Sequence, residues 1–99
     1  MELKINETYT IKLNSGEELI TKIIEINDKW VSISEPVSIA PAQGGMQMIP
    51  SVFTADPKDS FQLNTNSIAI IAMTDDGLKM KYLEATTGLR VPDKKIITG

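Results

Sequence analysis

From Thr8 to Leu13 the chain alternates: Tyr9, Ile11 and Leu13 are apolar or aromatic, and Thr8, Thr10 and Lys12 are polar. A period of two puts one face of a strand on a core and the other in water. Asn14-Ser15-Gly16 follows with turn chemistry, because Asn and Gly tolerate positive φ. From Leu19 the run LITKIIEI carries Ile20, Ile23, Ile24 and Ile26, too continuous for clean alternation. It predicts a strand that bends sharply and is buried on both faces in turn. Asn27-Asp28 turns the chain into a third strand marked by Val31, Ile33, Val37 and Ile39, which Pro36 makes irregular or an edge.

The middle of the chain is less regular. APAQGGMQMIPSVF predicts a second hairpin about Gly44-Gly45, with Met46, Met48 and Val52 on the return, and TADPKDS predicts a turn-rich excursion. FQLNTNSIAIIAM predicts two short strands around Asn64-Thr65-Asn66, the second from Ile68 to Met73. Then the period changes. Thr74-Asp75-Asp76 reads as a helix start, a capping hydroxyl followed by carboxylates that suit the positive end of the dipole. Leu78, Tyr82, Ala85 and Leu89, with Met80 and Leu83 beside them, form an apolar stripe, and Gly88 can close the helix in left-handed geometry. Five or six short, bent strands and one closing helix point to a small barrel rather than an open sheet.

Composition narrows the functional classes. Ninety-nine residues suit one domain with a single core. The formal charge of −3 gives no diffuse attraction to nucleic acid, so a polyanion site would have to be local. No apolar run approaches the ~20 residues that span a bilayer, and MELKINE lacks a signal-peptide core, which leads to an expected cytoplasmic location and no membrane partner. Cysteine and histidine are absent, which removes disulfides, thiolate chemistry, the common zinc ligands and the usual general base. The carboxylate pairs Glu17/Glu18 and Asp75/Asp76 are adjacent, so on a strand they point to opposite faces; solvated rim and helix start are their expected roles. Gly44-Gly45 is too little for a phosphate cradle, and TADPKDS lacks the oxygen ligands of a calcium loop. The expectation is a protein that is not an enzyme and has no cofactor, no metal and no small-molecule substrate.

Two stretches carry a resemblance. YTIKLNSGEELITKIIEI with its continuation to Ser34, and LNTNSIAIIA, from Leu63 to Ala72, resemble the two motifs of the Sm-like family, small five-stranded barrels that assemble into rings on RNA. In that family the first motif has an alternating strand, a turn, an acidic residue and a long bent strand; the second has an apolar residue, Arg-Gly, an Asn or Asp and a short apolar strand. Here Thr21 stands where the bend glycine belongs, Val31 or Ser32 stands at the RNA-facing asparagine, and Asn64-Thr65 replaces Arg-Gly. The resemblance implies a strongly bent five-stranded antiparallel barrel, with an inserted hairpin and a C-terminal helix peculiar to this chain. Its parts are an N-terminal extension over 1–7, first-motif and second-motif regions over 9–39 and 61–73, a variable segment over 40–60, a helix over 75–88 and a tail over 90–99. In overall pattern, including YLEATTGL, the chain also resembles uncharacterised small proteins of marine tailed phages.

In such a barrel the turns after the second and fourth strands meet at the pore-facing end. That would gather Asn27, Asp28, Lys29, Trp30 and Ser32 with Asn64, Thr65 and Asn66 as a nucleic-acid site. Asn can bond base edges, Lys can meet phosphate, and an indole offers a stacking face. Against this, the asparagines are also simply good turn residues, and Trp30 suits a core equally well. Met73 and Met80 read as core filling, while Met46 and Met48 suit a neighbouring subunit. The uncharged strand SIAIIAM is poorly protected if left at an edge, which favours pairing with another copy. Two functions follow: a ring of about five to seven copies on single-stranded RNA, with DNA second, or a structural module of phage assembly that keeps the barrel and binds no RNA.

Overall fold

The fold is that of a computed structural model, which describes residues 2–87. Six strands and two helical elements follow in order: β1 (Thr8–Leu13), β2 (Glu18–Ile26), β3 (Trp30–Ala42), β4 (Gly45–Pro50), β5 (Ser60–Asn64), a 3₁₀ turn (Thr65–Ser67), β6 (Ile68–Met73) and α1 (Asp76–Thr87). All pairings are antiparallel. They run β4-β3-β2-β1-β6, with β5 also on β3. No pairing among the described residues joins β6 to β5 or β4, so the sheet is open and the predicted closed barrel is not formed by this chain's own hydrogen bonds.

The sheet is nevertheless folded on itself. Its β5 end pairs Asn64 with Trp30, at the foot of β3, whereas β6 begins by pairing Ile68 with Leu13, at the top of β1. Straight β2 strands of this length separate those two levels by about 26 Å. Four Cα steps, from Asn64 to Ile68, reach at most about 15 Å. The difference is absorbed by bending. Register shifts fall between Ile20 and Lys22 and between Ile23 and Glu25, so Thr21 and Ile24 interrupt the β2–β3 ladder, and a third shift follows Lys12 in the β1–β6 ladder. Bulges of this kind bend a strand and raise its twist. Ile20 and Ile23 of β2 thus face two different interiors, whereas Ile26 at its end is exposed.

Pro36 occupies neither an edge nor an ordinary strand position. It lies in β3, the strand with most partners, opposite Thr21 and between the end of the β5 ladder at Ser34↔Ser60 and the start of the β4 ladder at Val37↔Pro50. A residue without an N–H fits there because no ladder bond is required of it. Glu35 beside it adopts φ 50, left-handed for a residue with a Cβ. The carbonyls of this bulge are all bonded: Thr21 Oγ1 donates to Ser34 O at 2.9 Å, Tyr82 Oη donates to Ser34 O at 3.1 Å and Glu35 O at 3.0 Å, and Ser51 N–H donates to Pro36 O at 3.0 Å.

Two apolar clusters result. Tyr9, Ile23, Val31 and Ile33 pack with Leu3, Phe61, Leu63 and Ile71, residues from five strands, inside the curl. Ile20, Val37 and Tyr82 pack with Ile39, Met48, Leu78 and Leu83, which seats the helix on the β2–β3–β4 half. Asp75 is the helix cap: its Oδ2 accepts the N–H of Leu78 at 3.2 Å and its carbonyl accepts that of Lys79 at 2.8 Å. The predicted capping hydroxyl, that of Thr74, instead meets Thr10 Oγ1 at 3.1 Å and is buried. Of the predicted apolar stripe, Leu78, Tyr82 and Leu83 face the sheet, whereas Met80 is exposed. Met73 is exposed as well, so neither methionine fills the core. Gly88, Leu89 and the tail lie outside the described residues.

Candidate nucleic-acid interface

The turn after β2 is built by its own asparagine. Asn27 Oδ1 accepts the N–H of Lys29 at 3.1 Å and of Trp30 at 2.8 Å, and Asn27 N–H donates to Trp30 O at 3.0 Å. This is an Asx turn, the local alternative that Asn offers to a backbone ladder. The turn after β5 uses the same device: Asn64 Oδ1 accepts the N–H of Asn66 at 2.9 Å and caps the 3₁₀ turn.

The two turns are then joined directly. Thr65 N–H donates to Lys29 O at 2.9 Å, and Thr65 Oγ1 lies 3.2 Å from both Asp28 O and Lys29 O. A third turn reaches the same place from the opposite end of β2. Asn14 Nδ2 donates to Asn66 O at 2.7 Å, and Asn14 N–H donates to Ser67 O at 2.8 Å. The curl therefore lays Asn27, Asp28, Lys29, Trp30, Asn64, Thr65 and Asn66 in one strip, with Asn14 bonded to its edge. Seven of the eight sequence-predicted positions meet there. The eighth does not: Ser32 is only 9 % exposed and lies within the β3 ladder between Glu25 and Gln62.

The strip is rich in donors. With Oδ1 of Asn27 and Asn64 committed to the turns, their Nδ2 groups have no protein partner among the described residues, nor does the side chain of Asn66. The described residues hold one ion pair, Lys79 to Glu7 at 3.6 Å, so Lys29 offers an ammonium that is not tied to a carboxylate. Trp30 is 38 % exposed, which leaves part of an indole face open at the edge of the strip. Donors, one cation and an aromatic face can meet a flexible anion that carries rings. Asp28, next to Lys29, opposes part of that attraction.

Elsewhere the chemistry is sparse. A groove of about 260 Å³ lies where β3, β4 and β5 diverge, lined chiefly by Val37, Met48, Pro50, Val52, Pro57 and Phe61, with Glu35 its one charged group. Glu17 is more than solvated rim: its carboxylate accepts the hydroxyl of Ser38, which also meets Ser51 Oγ at 2.9 Å. No group of three or more potential metal ligands occurs among the described residues. None of their helices is long and apolar enough to cross a membrane.

Asn14 was not among the sequence-predicted site residues. Its Asn-Ser-Gly setting explains it fully as a turn, and its separation of 52 positions from Asn66 leaves no local trace of the contact. Comparison with protein-family models and with characterised proteins returned no match.

Proposed function

We propose that this chain is a divergent Sm-like protein that binds single-stranded nucleic acid, RNA before DNA, as a subunit of a homo-oligomeric ring of about five to seven copies. The reading rests on one observation: the turns after β2 and β5 are hydrogen-bonded to each other through Thr65, with Lys29 and Trp30 beside them. Stacking on Trp30 and donors from the asparagines act on the ligand, and repetition around an axis makes weak single sites add up. The protein is then a scaffold in the cytoplasm, of the host cell if a phage encodes it, with no chemistry of its own. Strand order is compatible with a barrel in this reading, since β4 and β5 at one side of the sheet and β6 at the other are the margins that a closed wall must cover. A copy that pairs with the outer edge of β6 would cover one of them.

A second reading has its own support. Two of the asparagine side chains already serve their turns, Asp28 sits beside Lys29, and the chain is net acidic. A structural module that keeps the curl and binds a protein in phage assembly fits those facts. Fluorescence anisotropy with oligouridine, oligoadenine and duplex DNA over a salt series separates the two. The first reading expects single-strand binding that weakens steeply with salt and falls at least about tenfold in Trp30→Ala. A folded Trp30→Ala protein that binds as well as the parent sinks the assignment of this strip.

A further inference from the structure

The β1–β2 turn carries none of the ligand-facing groups assigned above, yet it supplies the strip's third support. We propose that Asn14 is a positioning residue for the nucleic-acid strip: its side-chain amide holds the Thr65–Ser67 turn in the place where Asn64 and Asn66 can share a ligand with Lys29 and Trp30. The inference rests on the reading above and adds a residue and a mechanism to it.

Two forces act on the 3₁₀ turn. From one side Thr65 is tied to the β2–β3 turn by its N–H at 2.9 Å and its hydroxyl at 3.2 Å. From the other, Asn14 holds Asn66 O at 2.7 Å and Ser67 O at 2.8 Å. These ties connect turns from opposite ends of β2, so they fix the curl where its two margins come nearest. The Asn14 N–H bond to Ser67 does not depend on the side chain of any residue but proline; the Nδ2 bond to Asn66 needs the side-chain amide. Asn66 O belongs to the residue whose own side chain has no protein partner among the described residues. Loss of the Nδ2 bond therefore frees the part of the turn that faces a ligand, while strand pairing stays in place. All these bonds are exposed, so the effect is on precision rather than on folding.

The test uses the whole chain and a labelled oligouridine at fixed salt. Asn14→Ala is expected to bind about fivefold more weakly than the parent, the factor that follows from one neutral hydrogen bond. The salt dependence should be unchanged, because no charge is removed. Hydrogen exchange at the Thr65 amide should quicken, a response that a purely local role at the β1–β2 turn would not produce. Asn14→Gln, which keeps an amide donor at an exposed turn, should recover most of the affinity. Binding by Asn14→Ala within twofold of the parent, or an unchanged Thr65 exchange rate, overturns the proposal. If Asn14→Ala fails to fold, Asn14→Ser makes the same comparison, since its hydroxyl stops short of Asn66 O. A parent protein that binds no oligonucleotide refutes the nucleic-acid reading itself, and this inference falls with it.

Discussion

Removing one oxygen at Tyr82 tests how the helix and the bent sheet hold each other. The ring is 1 % exposed, and its hydroxyl donates to Ser34 O at 3.1 Å and Glu35 O at 3.0 Å, at the bulge where Glu35 takes a left-handed φ. Tyr82→Phe keeps the ring and its packing on Ile20 and Val37 but leaves both carbonyls short of a donor. Thr21 still serves Ser34, so the loss falls mainly on Glu35. One buried carbonyl left without its partner costs about 1–2 kcal/mol. Burial, and secondarily the nearby Glu35 carboxylate, push the Tyr82 hydroxyl up to about 12 from an ordinary 10.0. The folded state thus favours neutral tyrosine, and the sign follows: this stabilisation is complete below pH 10 and is lost as pH rises from 10 to 12. The difference, 12 less 10.0, corresponds to roughly 3 kcal/mol in all, of which about half is gone at pH 11. Phenylalanine has no proton to lose. Urea unfolding followed by circular dichroism should therefore give a parent more stable by about 1–2 kcal/mol at pH 8, and the two stability curves should meet near pH 11. A gap that stays constant from pH 8 to 11.5, or a variant within 0.5 kcal/mol at pH 8 (about the noise of a surface change), refutes the reasoning.

Two further changes probe the ends of the fold. Asp75→Ala removes the acceptor of the Leu78 N–H and should lower stability by about 1 kcal/mol, a drop of roughly 4–8 °C in melting temperature for a domain of this size; Thr74→Val, which spares the cap, should leave helix content in circular dichroism unchanged. On the free margin, Ile70 and Met73 are each 59 % exposed in a strand without charge. Lysine at both should leave the stability of a single chain within about 0.5 kcal/mol; under the proposed ring, it should also shift sedimentation from an assembly to monomer. A doubly substituted protein that sediments like the parent excludes β6 as the contact between copies.

Much of the chain was legible because the signals are local. Alternation at Tyr9 and Ile11, the Asn-Ser-Gly and Asn-Asp turns and the shift of period after Met73 depend on residues within a few positions of one another, and each corresponds to an element of the fold. Asn27 and Asn64 were recognisable as turn makers for the same reason: their side chains bond residues two or three positions ahead. Pro36 announced an irregularity. Whether it lay at an edge or at the fork of a three-partner strand depended on strands 60–64 and 45–50, which its neighbours do not encode.

The periodicity by itself determined which residues form strands, where they turn and where the helix begins to within a residue or two. Only the tertiary structure decided how far the sheet curls, because curvature accumulates from register shifts at Thr21, Ile24 and β6, each set by a partner strand rather than by the residue itself. That curl carries Asn14 to Asn66 and Lys29 to Thr65, buries Ser32 and leaves Met73 outside. Side chains far apart in the chain share one strip because bending a strand is cheap at a bulge, while leaving its apolar faces in water is not.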